Sequence, residues 1–214
     1  MSQKLFALAL VSAMFCASAD GAPAAVERPV LKVGDSWTYK VIDNWRNTSV
    51  DTYTQTVSKI DGSNVTFVRQ SEKHGTMNVT ETPDLNALTG VSAAGSTMKY
   101  APDSQLLAFP LTVGKTWESK AKFDKVGSVL SGTYDLSAKV IDWETVNGYQ
   151  ALKIVYGGGY QSSFGARSGS GQMHETIWYS PRARAYVKLE YHDTNWGGTL
   201  YNRFTIELVS DHVQ

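Results

Sequence analysis

Val33-Gly34-Asp35-Ser36-Trp37-Thr38-Tyr39-Lys40 is echoed by Val113-Gly114-Lys115-Thr116-Trp117-Glu118-Ser119-Lys120, and the reading of these two stretches decides the fold. Each opens on a turn glycine and then sets a tryptophan in a run that alternates in polarity. Alternation with period 2 sends successive side chains to opposite faces of a strand, so each stretch reads as a strand entering a sheet. Trp37 and Trp117 are the expected core anchors, equivalent by the echo. Downstream, Thr52-Tyr53 through Lys59-Ile60 lines up with Thr133-Tyr134 through Val140-Ile141. The step is 80 residues at the tryptophans and 81 at the Thr-Tyr pairs. Two pseudo-repeated β-units are therefore expected, 31–82 and 111–214, joined by an irregular connection over 83–110 within a single domain 31–214.

The rest of the chain agrees with this. Six Trp and eleven Tyr stand among many Thr, Ser and Val, a strand composition. Asp61-Gly62 and Asn147-Gly148 are hairpin signals between runs of alternating polarity. Tyr134, Leu136, Ala138 and Val140 form an apolar face against Asp135, Ser137 and Lys139. Leu200, Phe204, Ile206 and Leu208 do the same against Arg203, Thr205 and Glu207. Residues 157–171, rich in Gly and Ser, predict a flexible loop or two strand ends around one. One helical turn is expected at 84–88, and no longer helix anywhere. The pattern predicts an all-β fold: a strongly curled antiparallel sheet or half-open barrel of about ten to twelve strands.

The N-terminus reads as a secretory signal over 1–19. Lys4 is the positive region, Leu5 to Phe15 the apolar region, and Ala17-Ser18-Ala19 the small-residue cleavage site. The apolar run falls short of the roughly 20 residues a spanning helix needs, and no transmembrane segment is expected elsewhere. Cys16 is a poor lipidation site, with Ala13 and Phe15 where a lipobox wants leucine and a small residue. Cleavage after Ala19 would remove this one cysteine, and with it any disulfide or thiolate chemistry. Residues 20–30 are expected to form a flexible leader. Export to the periplasm or medium of a bacterium follows.

The Val-Gly-x-x-Trp openings, Phe109-Pro110-Leu111 and Val140-x-x-Trp143-Glu144-x-Val146 resemble a family of bacterial exported all-β proteins of unknown function. Ala151-x-Lys153-Ile154 and Trp178-Tyr179-Ser180-Pro181, followed by Val187-Lys188, fit the same family. The resemblance covers most of 31–190. It implies a periplasmic or surface-exported all-β domain with no catalytic residues to carry over. The chain departs from it at Asn147-Gly148-Tyr149 and at Arg182 and Arg184.

Candidate chemistry is sparse. Twenty Lys+Arg against twenty Asp+Glu, interspersed along the chain, give no basic patch for nucleic acid. Ser96-Thr97-Met98-Lys99 matches a Ser-x-x-Lys signature but lacks the helical scaffold and partner motifs of that chemistry. Gly157-Gly158-Gly159 lacks the lysine and helix of a phosphate loop. No cofactor is expected, and no carboxylate pair shows a glycosidase spacing. A strand pairing that sets Val187 against Tyr179 and Leu189 against Ile177 brings His174 opposite His192. Two imidazoles are a weak metal candidate, one short of a catalytic zinc's three ligands. Among the aromatics, Trp45 and Trp196 sit by turn residues, and they and Tyr160 are the candidate ligand contacts. The expectation is a non-enzymatic envelope protein holding a lipid or other amphipathic molecule in a concave sheet face. One alternative is a surface module that binds protein or glycan through loop aromatics, and another is an unrecognised hydrolase.

Overall fold

The structure, a computed structural model, describes residues 25–92, 94–195 and 197–214. The expected signal segment and Trp196 lie outside the described residues. The strands are β1 (Ser36–Asp43), β2 (Thr48–Ile60), β3 (Val65–Ser71), β4 (Gly75–Glu81), β5 (Ala87–Val91) and β6 (Thr97–Ala101). They continue as β7 (Thr116–Lys125), β8 (Leu130–Val146), β9 (Tyr149–Phe164), β10 (Arg167–Ser180), β11 (Ala185–Asn195) and β12 (Leu200–His212). Each pairs antiparallel with the next, and β1 also pairs with β12 from Ser36↔His212 to Asp43↔Phe204. The all-β expectation holds, but the sheet is a closed twelve-stranded barrel rather than a half-open one. Closure satisfies the backbone N–H and C=O rows that β1 and β12 would otherwise expose as edges.

Both openings are built alike. Gly34 and Gly114 have φ of +97° and +85°, a left-handed turn that glycine adopts without steric cost. The Gly34 N–H donates to the Val57 carbonyl at 2.9 Å, and the Gly114 N–H to that of Val140 at 2.9 Å. The Val57 N–H returns to the Asp35 carbonyl, as that of Val140 does to Lys115. In space Trp37 stands opposite Gln55, and Trp117 opposite Ala138. The spatial counterpart of Tyr53 is therefore Leu136, two residues beyond the Tyr134 of the sequence alignment. A slip of two keeps every side chain on its original face. Trp37 is buried in one apolar cluster with Phe67 and Val187, whereas Trp117 packs against a second with Leu136 and Ile154. The indole N–H of each donates to a loop carbonyl, Ala183 for Trp37 and Gln105 for Trp117.

The connection over 83–110 is more ordered than its composition suggests. Leu85 takes a φ of +61°, which stops a helical turn at 84–88, and β5 follows at once. Past β6 the chain enters the barrel. The inward hydroxyls of Ser119 and Tyr134 both donate to the Ser104 carbonyl, at 3.1 and 2.6 Å, and that of Tyr156 donates to Leu106. Asn86 holds both backbone groups of Leu107 with its amide, each at 2.8 Å. Ser104, Leu107 and Leu111 are buried. The segment 102–111 thus lies against the inner wall and fills it from one end. The leader expected over 20–30 is docked in its described part, since Val26 is buried and exchanges two backbone hydrogen bonds with Leu111.

Residues 157–171 form no open loop. They are the ends of β9 and β10 around a two-residue turn at Gly165-Ala166, the second of the two sequence expectations.

Candidate functional site

The outer wall of β7 to β11 carries two cross-strand rows. One runs Glu118, Ser137, Gly157, His174, His192, and the next runs Lys120, Asp135, Gly159, Gln172, Thr194. Both rows cross β9 at a glycine, so the wall has no side chain at its middle. Two neighbouring depressions result, of about 740 Å³ and about 770 Å³. Thr133, Gln161, Ser170 and Asn195 extend the lining of the first, and Val155 and Lys139 that of the second. The first is lined mostly by polar side chains, whereas the second also takes in Trp117, Ala138 and Tyr156 and is largely apolar. Together they form a groove with a glycine floor.

The glycines divide into two kinds. A Cβ on Gly158 would stand 2.2 Å from the Asp135 carbonyl oxygen, and one on Gly132 would stand 2.3 Å from that of Gln161. Those positions bring backbones too close for any side chain. A Cβ on Gly159 would meet nothing nearer than 3.7 Å. Gly158→Ala is therefore expected to destabilise the barrel by about 3 kcal/mol or more, and Gly159→Ala to change stability by less than about 1 kcal/mol. Urea unfolding of the two variants checks this, and equal costs would contradict it.

Charged side chains flank the glycine floor: Asp135 stands opposite Gly159, and Lys120, Glu118 and Lys139 line the two depressions beside it. The Lys120 ammonium lies 3.0 Å from Asp135 and 3.9 Å from Glu118, and its hydrogen bond to Asp135 holds its pKa above the ordinary lysine value. His174 faces His192 as the sequence expected, with Ile177↔Leu189 in the same register. A bulge after Trp178 then sets Tyr179 against Tyr186, not Val187. The imidazoles stack at 4.8 Å and 18°, ring face to ring face. Burial, then His174 and Arg203, lowers the pKa of His192. Among the described residues no three His, Cys, Asp or Glu side chains gather as a metal ion requires.

The carboxyls with raised pKa values face the interior. Glu175 is buried and pushed up to about 7 by desolvation. Glu81 is also pushed up to about 7 by burial, opposed by Arg69 and by a hydrogen bond from Gln55. Arg69 lies 4.2 Å above the Tyr53 ring and donates twice to Gln55.

The three aromatic candidates do not gather. Tyr160 is half-buried and pairs with the inward Tyr134, so it borders the first depression from the inner face of the wall rather than from the outer one. Trp45 is 59% exposed at the β1–β2 turn, with β10, β11 and β12 lying between that turn and β9. Ser96 and Lys99 lie on a hairpin and β6, not on a helix. The residues that sequence reasoning missed are Gln161, Gln172, Thr133 and the Lys120–Asp135 pair. The signal that could have found them is the spacing of Gly157 and Gly159, two apart and so on one face of a strand.

No protein-family model matches the chain, and no curated protein does. Among solved structures, a protein of Bacteroides fragilis described as exported and of YmcC-like fold is similar at a TM-score of 0.50 and 13% identity. That likeness covers 88% of this chain and 99% of the other. A protein described as a lipoprotein from Parabacteroides distasonis gives 0.49 and 12%, covering 87% and 99%. The hypothetical lipoprotein YmcC of Escherichia coli gives 0.43 and 12%, covering 84% and 86%. Identity this low speaks to the fold alone. No helix among the described residues is long and apolar enough to cross a membrane.

Proposed function

We propose that this chain is an exported, non-enzymatic binding protein of the bacterial cell envelope, and that its ligand is a glycan held in the groove over Gly157 and Gly159. The signal-like N-terminus supports export, and so does the resemblance to exported all-β proteins. The B. fragilis protein of similar fold is likewise described as exported. The outward face of β7 and β8 carries Glu118, Lys120, Lys122, Asp135 and Lys139, all exposed, which suits a wall in water rather than in hydrocarbon.

One observation carries the glycan reading: the depression over Gly159 is lined by amides, hydroxyls and the Lys120–Asp135 ion pair. Gln161, Gln172, Asn195, Thr133, Ser170 and Thr194 can each donate and accept hydrogen bonds, as sugar hydroxyls do. An amphipathic molecule inside the barrel has less to support it. The inner face carries two apolar clusters, and the 102–111 segment lies across it. A hydrolase also has little support, because Glu81 and Glu175, the carboxyls raised toward neutral pH, face away from the groove.

Probing a glycan array with the exported protein tests the reading. Binding to hydroxyl-rich oligosaccharides is expected. Gly159→Val should abolish it by filling the floor, and Gln172→Ala should weaken it about tenfold, the loss of one or two hydrogen bonds. Both variants should keep the wild-type unfolding midpoint. Undiminished binding by Gly159→Val would refute the site.

A further inference from the structure

The chain alternates direction at every strand, so the β1–β2, β7–β8, β9–β10 and β11–β12 turns share one end of the barrel. At that end the β9–β10 hairpin projects past β11, and the β7–β8 hairpin extends beside it. The β5–β6 hairpin runs along the far side of β7–β8, where the Val126 N–H donates to the Thr97 carbonyl. The β9–β10 ladder runs on from Tyr160↔Gly171 to Phe164↔Arg167, while β11 stops pairing at Gly171↔Asn195. Four further residues per strand reach roughly 13 Å past β11. On the other side Leu130 of β8 pairs with Phe164, which joins the two hairpins into one tongue. A hydrogen bond of 3.0 Å between the Ser131 and Ser163 hydroxyls ties them further.

The tip of this tongue is apolar and exposed. Phe164 is 59% exposed, Val129 64% and Val126 48%, with no strand, loop or terminus of the described chain covering them. Segments 122–131 and 161–170 carry Lys122, Lys125 and Arg167 against a single acid, Asp124, although the whole chain balances twenty cations with twenty acids. Apolar side chains at a hairpin tip, flanked by cations on long aliphatic stems, match the layering of an anionic bilayer surface. The rings and methyl groups reach the acyl boundary, and the cations stay at the phosphates. The hairpins are already folded and paired, so docking would order little new chain.

We infer that the joined β7–β8 and β9–β10 tips dock peripherally on an anionic phospholipid surface through Val126, Val129 and Phe164, with Lys125 and Arg167 at the headgroups. The surface lies apart from the glycan groove and does not depend on that reading. It would set the outer-wall groove upright beside the membrane, with the barrel in water.

Vesicle co-sedimentation tests the inference, using exported protein whose mass confirms loss of residues 1–19. The probes are vesicles of phosphatidylcholine alone and with about one third phosphatidylglycerol, the lipid that supplies the surface charge. The wild type should sediment with the mixed vesicles and at least tenfold less with the neutral ones. Val129→Ser/Phe164→Ser should lose the binding, and Lys125→Gln/Arg167→Gln should lose the preference for phosphatidylglycerol. Both variants should keep the wild-type unfolding midpoint, since every altered side chain is at a tip. Equal binding to both vesicles, no binding to either, or undiminished binding by the serine variant would overturn the proposal. Self-association that the serine variant abolishes, without vesicle binding, would assign the tips to a second copy of the chain instead.

Discussion

Asp35→Ala is expected to cost about 3–5 kcal/mol of folding stability, the range found when one partner of a buried ion pair is removed. The Asp35 side chain is fully buried. One oxygen accepts the Gln214 N–H at 2.9 Å, and the other accepts the Lys32 N–H at 2.8 Å and Arg184 at 3.3 Å. Arg184 also donates to the carbonyls of Val30 and Gln214. One carboxylate therefore fastens the turn before β1, the chain end after β12 and the β10–β11 turn, at the seam where the barrel closes. Truncation strands a guanidinium only about a quarter exposed, together with two backbone donors. Adding Arg184→Met should recover part of the loss, because the uncompensated cation goes with it. Urea denaturation of the single and double variants measures this. A double variant as unstable as the sum of its parts would show that the pair contributes nothing jointly.

Glu175→Gln should do the opposite, and only above neutral pH. Burial raises the Glu175 carboxyl to about 7, against 4.5 in the unfolded chain. A raised acid pKa means that the folded state holds its proton where the unfolded state has lost it. Its contribution is thus fully present below about pH 4.5 and declines as pH rises to about 7. The loss is on the order of 3 kcal/mol across that window. Glutamine keeps the shape and carries no charge, so the variant should exceed the wild type in stability at pH 8 and equal it near pH 4. Some pH dependence should survive in the variant, because Glu81 titrates in the same window. Denaturation midpoints measured from pH 4 to 8 check the sign. A variant less stable at pH 8 would mean that the ionised Glu175 has a cationic partner.

Much of the barrel was legible because alternation survives wherever one face is buried. Tyr134 to Val140 and the His174–His192 register were readable for that reason, since a slip of one residue would turn apolar side chains outward. Closure was not legible. The apolar face of β12 says that something covers it, but not that its edge meets β1. The 102–111 segment looked irregular because its order comes from side-chain amides and hydroxyls elsewhere in the chain, Asn86 and Tyr134 above all. The groove was hidden by the opposite effect. Gly157-Gly158-Gly159 has no side chains to alternate, so loop and strand could not be told apart there, and the walls lie on four other strands. Trp45 is exposed beside its turn, yet exposure alone says nothing of which site it joins.

The most direct test is an amide nitrogen–proton correlation spectrum of the exported protein, recorded while an oligosaccharide hydrolysate of its host's own envelope is added. The amides of Gly157, Gly159 and Gln172 are expected to shift saturably, and the same addition to Gly159→Val should leave the spectrum still. An unmoved groove, with a lipid extract instead shifting inner-face amides such as Leu136 and Ile154, would contradict the outer-wall site and restore the barrel interior as the place of binding.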